Sequence, residues 1–152
     1  MRGFQNTFLS NMFEVPVEYE GRTYKSSEAA FQAAKTLDKD ARKEFELMDG
    51  YMAKRYGRKL KLRPRWDNIK LGIMRDILKS KFRTGRMARA LLATLPNDLE
   101  ETLTWHDNFW GNCVCGRVAC LPPGKNHLGI LLMELRDRLE AERKEHEEWD
   151  NE

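Results

Sequence analysis

The chain has 152 residues, 41% of them hydrophobic and 34% charged, against a charged share of roughly 25% in ordinary soluble domains. A chain of that length buries roughly two thirds of the surface its unfolded form exposes, so a core can form without disulfides or a structural metal. No apolar run approaches the roughly 18 residues of a membrane span, and the opening MRGFQNTFLSN lacks the apolar stretch of a signal peptide. The expectation is a soluble cytoplasmic protein with no membrane partner. Cys113, Cys115 and Cys120 form an odd, tightly spaced set, a poor disulfide framework that suits a reducing compartment. The formal charge is +3, but residues 140–152 hold seven acids and two bases, which leaves +8 on residues 1–139. A body that basic suits a phosphate-bearing partner.

In chain order, Val15, Val17 and Tyr19 alternate with polar or Pro positions and Glu20-Gly21-Arg22 reads as a turn, which predicts a small hairpin near the amino end. Ser26 and Ser27 are capping types ahead of an Ala-rich stretch, so a helix is expected from there to about Leu37. Further helical segments are expected at about 39–48 and at about 51–55, the latter stopped near Gly57. The strongest amphipathic helix follows Pro64, with Trp66, Ile69, Ile73, Met74, Ile77, Leu78 and Phe82 on one face. Met87 to Leu95 reads as another helix. From Thr102 to Lys125 aromatics, Gly, Cys and Pro122-Pro123-Gly124 predict a long irregular segment, which in a compact domain is often functional. A last helix from about His127 carries Leu128, Leu131, Leu132, Leu135 and Leu139. The fold class expected is mainly α with a small β element near the N-terminus, that is α+β.

Three stretches suit chemistry. Glu28, Gln32 and Lys35, at i, i+4 and i+7, share one stripe among small alanines, and a first-turn carboxylate is favoured as the anion by the helix dipole. The same spacing also fits a solvated face with an ordinary capping carboxylate. Between Lys54 and Arg65 there are seven basic residues and no acid, followed at once by Trp66, a combination that holds phosphate and stacks a base, or else a solvated loop ahead of a core indole. Trp105-His106-Asp107-Asn108-Phe109-Trp110-Gly111 supplies flat walls and polar groups; Asp107 is a candidate acid or base there, or a turn former. Gly124 to Gly129 opens the last helix, whose N-terminus could take an anion. The Cys-x-Cys-x4-Cys cluster, with His106 and His127 nearby, has no paired knuckles and no defined fourth ligand, so three free thiols and no metal are expected.

Phe8-Leu9-Ser10-Asn11, Glu28 with Phe31-Gln32-Ala33 and Lys35, Arg63 with Trp66, Lys81-Phe82, Trp105 with Asp107 and Trp110-Gly111, and Gly124 with Asn126, Leu128-Gly129 and Met133 together resemble the NADAR (YbiA-like) family, in order, from about residue 2 to 139. The chain departs from the family pattern at Phe4 and Leu103. The resemblance implies a compact single-domain fold over residues 1–139, with 140–152 an acidic helical extension or tail. It also implies an N-glycosidase that needs no cofactor. Its substrates would be a ribosylaminopyrimidine phosphate of early riboflavin synthesis, or ADP-ribose on guanine, including ADP-ribosylated nucleic acid. Carried over by position, Glu28 matches the catalytic glutamate, Trp66 and Trp110 the site tryptophans, and Asp107, Asn126, Asn11 and Lys35 further pocket positions. In the hydrolytic scheme Glu28 is the anion beside the sugar and Asp107 orients water or protonates the base. Arg2 and Asn126, with the basic segment, hold phosphate. Lys35 offers a second route through a Schiff base. The competing reading is a non-catalytic ADP-ribose or nucleic-acid binding module.

Overall fold

The computed structural model describes residues 3–150, with side chains to residue 147. Two compact units divide it, Gln5–Arg83 and the chain from Thr84 onward, which the residues around Gly3 and Phe4 join.

In the first unit the expected hairpin forms, β1 (Val17–Tyr19) antiparallel to β2 (Arg22–Tyr24), with Val17 opposite Tyr24 and Tyr19 opposite Arg22. Its two linking residues, Glu20 and Gly21, both hold positive φ, 47° and 81°, the twist a two-residue hairpin turn requires. Helix α1 (Ser27–Ala34) starts where Ser26 Oγ accepts the Ala29 N–H at 3.1 Å. It ends short of the expected Leu37. The Asp38 N–H, which would extend the ladder to the Ala34 carbonyl, donates instead to Thr36 Oγ1 at 3.1 Å, and the Lys35 carbonyl is taken by the Arg63 N–H at 2.8 Å. Every residue of α1 except Glu28 is buried, which makes α1 the centre of the unit. Around it lie both strands, α2 (Lys39–Phe45), α3 (Gly50–Gly57) and α4 (Trp66–Lys81). The predicted apolar face of α4 is the buried one, Trp66, Ile73, Met74, Ile77 and Leu78.

In the second unit α5 (Gly85–Leu92) is capped by Thr84, whose Oγ1 accepts the Met87 N–H, and packs on α6 (His127–Asp150). The Leu128, Leu131, Leu132 and Leu135 stripe is buried. Arg136 is buried beside it with Nη1 donating to Thr94 Oγ1 at 2.9 Å and to the Asn97 carbonyl at 2.7 Å. The segment between these helices is irregular, as expected. It contains one feature the sequence does not announce, a two-residue parallel pairing of β3 (Thr102–Leu103) with β4 (Asn112–Cys113), followed by a 3-10 turn at Val118–Cys120. Helix α6 runs unbroken past residue 139, and its side chains 141–147 are exposed. The end of the acidic tail lies outside the described residues. Among the described residues, no helix is long and apolar enough to cross a membrane. Among the described residues, six helices and two small strand pairs make the fold α+β.

Candidate active site

Glu28 is the half-buried member of an otherwise buried helix. Its Oε1 accepts a hydrogen bond from Gln32 Nε2 at 2.8 Å, the i, i+4 pairing that the sequence spacing allows. The start of the helix is held from the preceding loop. The Glu28 N–H donates to the Asn11 carbonyl at 2.9 Å, Ser27 Oγ donates to Asn11 Oδ1 at 2.8 Å, and Asn11 Nδ2 lies 3.9 Å from Met74 Sδ. Both ends of the Asn11 amide are engaged inside the unit, so this side chain positions the first turn of α1.

The Glu28 and Gln32 stripe faces α3 through the buried small residues Gly50, Ala53 and Gly57. A methyl group on Gly50 would sit 3.3 Å from Glu28 Cβ, and one on Gly57 would collide with the Gln32 amide. At Gly57 the Gln32 amide leaves no room for a methyl, while at Gly50 the hard contact is with Met12 Sδ. Sequence reading misses this contribution of α3, although Gly50, Ala53 and Gly57 at i, i+3 and i+7 carry the signal. Gln32 is buried, and its Oε1 has no hydrogen-bond partner among the described residues. A buried acceptor left unmatched costs about 1 to 3 kcal/mol, and here it stands on the amide that holds the carboxylate.

Lys35 is half-buried just past the end of the same helix. Desolvation lowers its pKa below the ordinary lysine value; Glu28 opposes that, while Arg58, Lys54 and Lys70 reinforce it. Arg63 ties the basic segment to this end of α1, with Nη1 3.4 Å from the Ala34 carbonyl. Arg55, Arg58, Lys59, Lys61 and Arg65 are exposed. Trp66 opens α4 directly after Arg65, whose φ is 63°. The indole is only 6% exposed and meets Phe31 edge-on at 5.2 Å, so it is a core residue at the mouth of the helix. The unit also has a cleft of about 570 Å³, lined by Glu20, Arg22, Leu37, Arg42 and Glu46 among others. Two charge pairs occupy it, Arg22 with Glu46 at 3.3 Å and Arg42 with Glu20 at 3.1 Å, and none of the candidate residues lines it.

In the second unit Asp107 Oδ1 accepts the N–H groups of Phe109 at 3.0 Å and Trp110 at 2.9 Å. That is an Asx turn, so the turn-former reading of Asp107 is the one the geometry fits. The turn presents Trp110, half-buried and edge-on to Phe109 at 4.8 Å. The start of α6 is not an anion site as the sequence suggests. The N–H groups of Asn126, His127 and Leu128 already donate to the carbonyls of Gly111, Phe109 and Trp110. Asn126 is equally engaged, its Oδ1 accepting the Glu101 N–H and its Nδ2 donating to the Leu99 carbonyl, each at 2.9 Å. It fastens the 99–101 segment to α6. Arg2 lies outside the described residues.

Beyond the Asp107 turn the three cysteines gather about His106, the fourth partner that linear spacing leaves undefined. Burial pushes the Cys113 thiol up, but hydrogen bonds from the Cys115 backbone and from the neighbouring thiols bring it down to about 6.

Residues 2–140 match the NADAR domain. The chain is 41% identical over 139 residues to the N-glycosidase YbiA of Shigella boydii, covering 89% of this chain and 82% of that protein. The figures are the same for the Escherichia coli N-glycosidase YbiA. It is 32% identical over 137 residues to a riboflavin biosynthesis protein of Vibrio vulnificus, covering 88% of this chain and 35% of that one. The NMR structure of the Escherichia coli protein YbiA matches with a TM-score of 0.81 at 35% identity, over 96% of this chain and 88% of that chain.

Proposed function

The chain belongs to the NADAR family, and on that premise we propose that it hydrolyses the C–N bond between a nitrogenous base and a ribosyl phosphate or ADP-ribose. The observation that carries this reading is the Glu28 carboxylate, half-exposed on a buried helix and held by Gln32 at 2.8 Å. Cleavage at the anomeric carbon builds positive charge on the ribose while the departing nitrogen takes the bonding electron pair. A fixed anion beside the sugar lowers that barrier, and the same carboxylate accepts the proton of the water whose oxygen bonds to the carbon, the base role in inverting glycosidases. The basic segment from Lys54 to Arg65, with Arg2, holds phosphate. Trp110 supplies aromatic surface, Trp66 supports α1 from the core through Phe31, Asp107 acts through the turn it closes, and Asn11 and Asn126 act by positioning.

Lys35 supports a second route to the same products. Desolvation favours its neutral amine. That amine attacks the anomeric carbon, the base leaves with the electron pair and a proton, and the ring opens to an imine that water later cleaves. The name of the Vibrio vulnificus relative supports a riboflavin-pathway substrate, the family resemblance adds ADP-ribose on guanine, and the two are tested side by side: a ribosylaminopyrimidine phosphate and guanine-ADP-ribosylated DNA, with free base measured by chromatography. Release from either supports the proposal. Binding of both without release favours a recognition module instead. Glu28→Gln is expected to lower kcat at least a hundredfold, about 2.7 kcal/mol of barrier, with an unchanged melting temperature. A loss under tenfold overturns the assignment of Glu28, and a borohydride-trapped adduct on Lys35 replaces direct hydrolysis by the imine route.

A further inference from the structure

His106, Cys113, Cys115 and Cys120 each offer one donor atom, and these four atoms all lie within 4.8 Å of one another. From this grouping we infer a structural zinc site, tetrahedral and closed, with His106 Nδ1 and the three Sγ atoms as its ligands.

The distances carry the argument. His106 Nδ1 lies 3.3 Å from Cys120 Sγ, 3.5 Å from Cys115 Sγ and 3.7 Å from Cys113 Sγ. A ring nitrogen has either one proton or one lone pair, so it serves one hydrogen bond. Three sulfurs converging on a single nitrogen are therefore unexplained as hydrogen bonding. A shared cation explains them: bonds of about 2.3 Å to sulfur and about 2.0 Å to nitrogen set tetrahedral N···S edges at about 3.5 Å. Soft thiolates with one imidazole in that geometry select zinc over calcium, magnesium or manganese, and three cysteines with one histidine are a recurrent structural zinc set.

The polypeptide holds the ligands in place by itself. Cys113 pairs with Leu103 in β4, and its N–H donates to Asn108 Oδ1 at 2.7 Å, while Asn108 Nδ2 reaches the Cys120 carbonyl at 3.4 Å. The Arg117 N–H points at Cys115 Sγ at 3.4 Å, the kind of outer bond that orients a metal-bound thiolate. His106 takes φ of 69°, a conformation that costs a residue with a side chain and persists where surroundings demand it. Binding releases the thiol protons to solvent and leaves three thiolates and one neutral imidazole on the dication. With all four positions filled by protein, no site remains open for a water, so the ion is a clamp. It joins residue 106 to residues 113, 115 and 120, fixing both ends of the loop that carries Asp107 and Trp110.

The test is elemental analysis of the purified full chain after dialysis, then exchange with cobalt. The expected result is one zinc per chain, and a cobalt form with the intense visible bands of tetrahedral coordination and a sulfur-to-metal charge-transfer band. Cys115→Ser, at a half-exposed ligand, should weaken zinc retention against a chelating dye at least tenfold. Should that variant fail to fold, the cobalt spectrum of the wild-type chain decides alone. Absence of bound metal with three thiols open to a thiol reagent, a disulfide within the cluster, iron in place of zinc, or an octahedral cobalt spectrum would each overturn the site.

Discussion

Lys81 is 1% exposed, with Nζ donating to the Ser10 carbonyl at 2.9 Å and lying 5.2 Å from the centre of the Phe82 ring. Desolvation pulls its pKa from 10.5 down to about 7. Between those values the unfolded chain holds a proton that the folded chain has lost, so stability rises with pH, by as much as about 1.4 kcal/mol per pH unit. Below about 7 both states are protonated and the full penalty of a buried ammonium is present. The buried tyrosines act with the opposite sign at higher pH, since burial pushes Tyr19 up to about 12 and Tyr24 in the same direction. The tyrosines leave pH 7 to 9 undisturbed, and the slopes that Cys113 and Lys35 add there are common to wild type and a Lys81 variant. Urea unfolding in that window should show stability rising more steeply with pH in wild type than in Lys81→Met, in which the Ser10 carbonyl keeps the Phe13 N–H at 3.2 Å. Parallel pH profiles for the two proteins would show that Lys81 keeps its proton in the fold.

At the scale of elements, the close approach of α1 and α3 decides whether Glu28 is held. Gly57→Ala is compatible with the helical backbone, but its methyl collides with the Gln32 amide. The Gln32 side chain must move, and its bond to Glu28 moves with it. The variant should lose about 1 to 3 kcal/mol of stability and a larger share of kcat than of substrate affinity; an unaltered kcat would detach Gln32 from catalysis. This pair also shows what the sequence discloses. Ser26 before an alanine run and Pro64 before a heptad-like face are local signals, and both helix starts follow from them. The end of α1 is closed instead by Thr36 Oγ1 taking the Asp38 N–H and by Arg63, 28 residues beyond Lys35, taking the Lys35 carbonyl. The β3 and β4 pairing is too short to alternate, and the start of α6 is capped by the Phe109, Trp110 and Gly111 carbonyls, a long-range contact that no local pattern in either segment encodes. Glu28, Gln32 and Lys35 are legible as a stripe because they share one helix. The grouping of His106 with three cysteines is not, because a positive φ at His106 and the β3 to β4 register create it.

For the whole molecule the governing quantity is charge. The formal sum of +3 combines a body of +8 with an acidic end, and Glu142, Glu145 and Glu147 on that end are exposed along α6. A polyanionic substrate is attracted by the body and repelled by the tail. Neutralising these three residues as glutamines raises the formal charge to +6 at little helical cost, since Gln and Glu have similar propensities, and leaves the Glu140 and Lys144 pair at 3.4 Å intact. The triple variant should bind ADP-ribosylated DNA more tightly than wild type in dilute salt, with the same kcat. The two affinities should converge as ionic strength rises, because exposed charges are screened within about 8 Å at physiological salt. A small ribosyl phosphate, with fewer charges than DNA, should discriminate much less between the two proteins. Equal DNA affinity at every salt concentration would mean that bound nucleic acid lies beyond the reach of the acidic end, and that only the local basic segment from Lys54 to Arg65 governs the encounter.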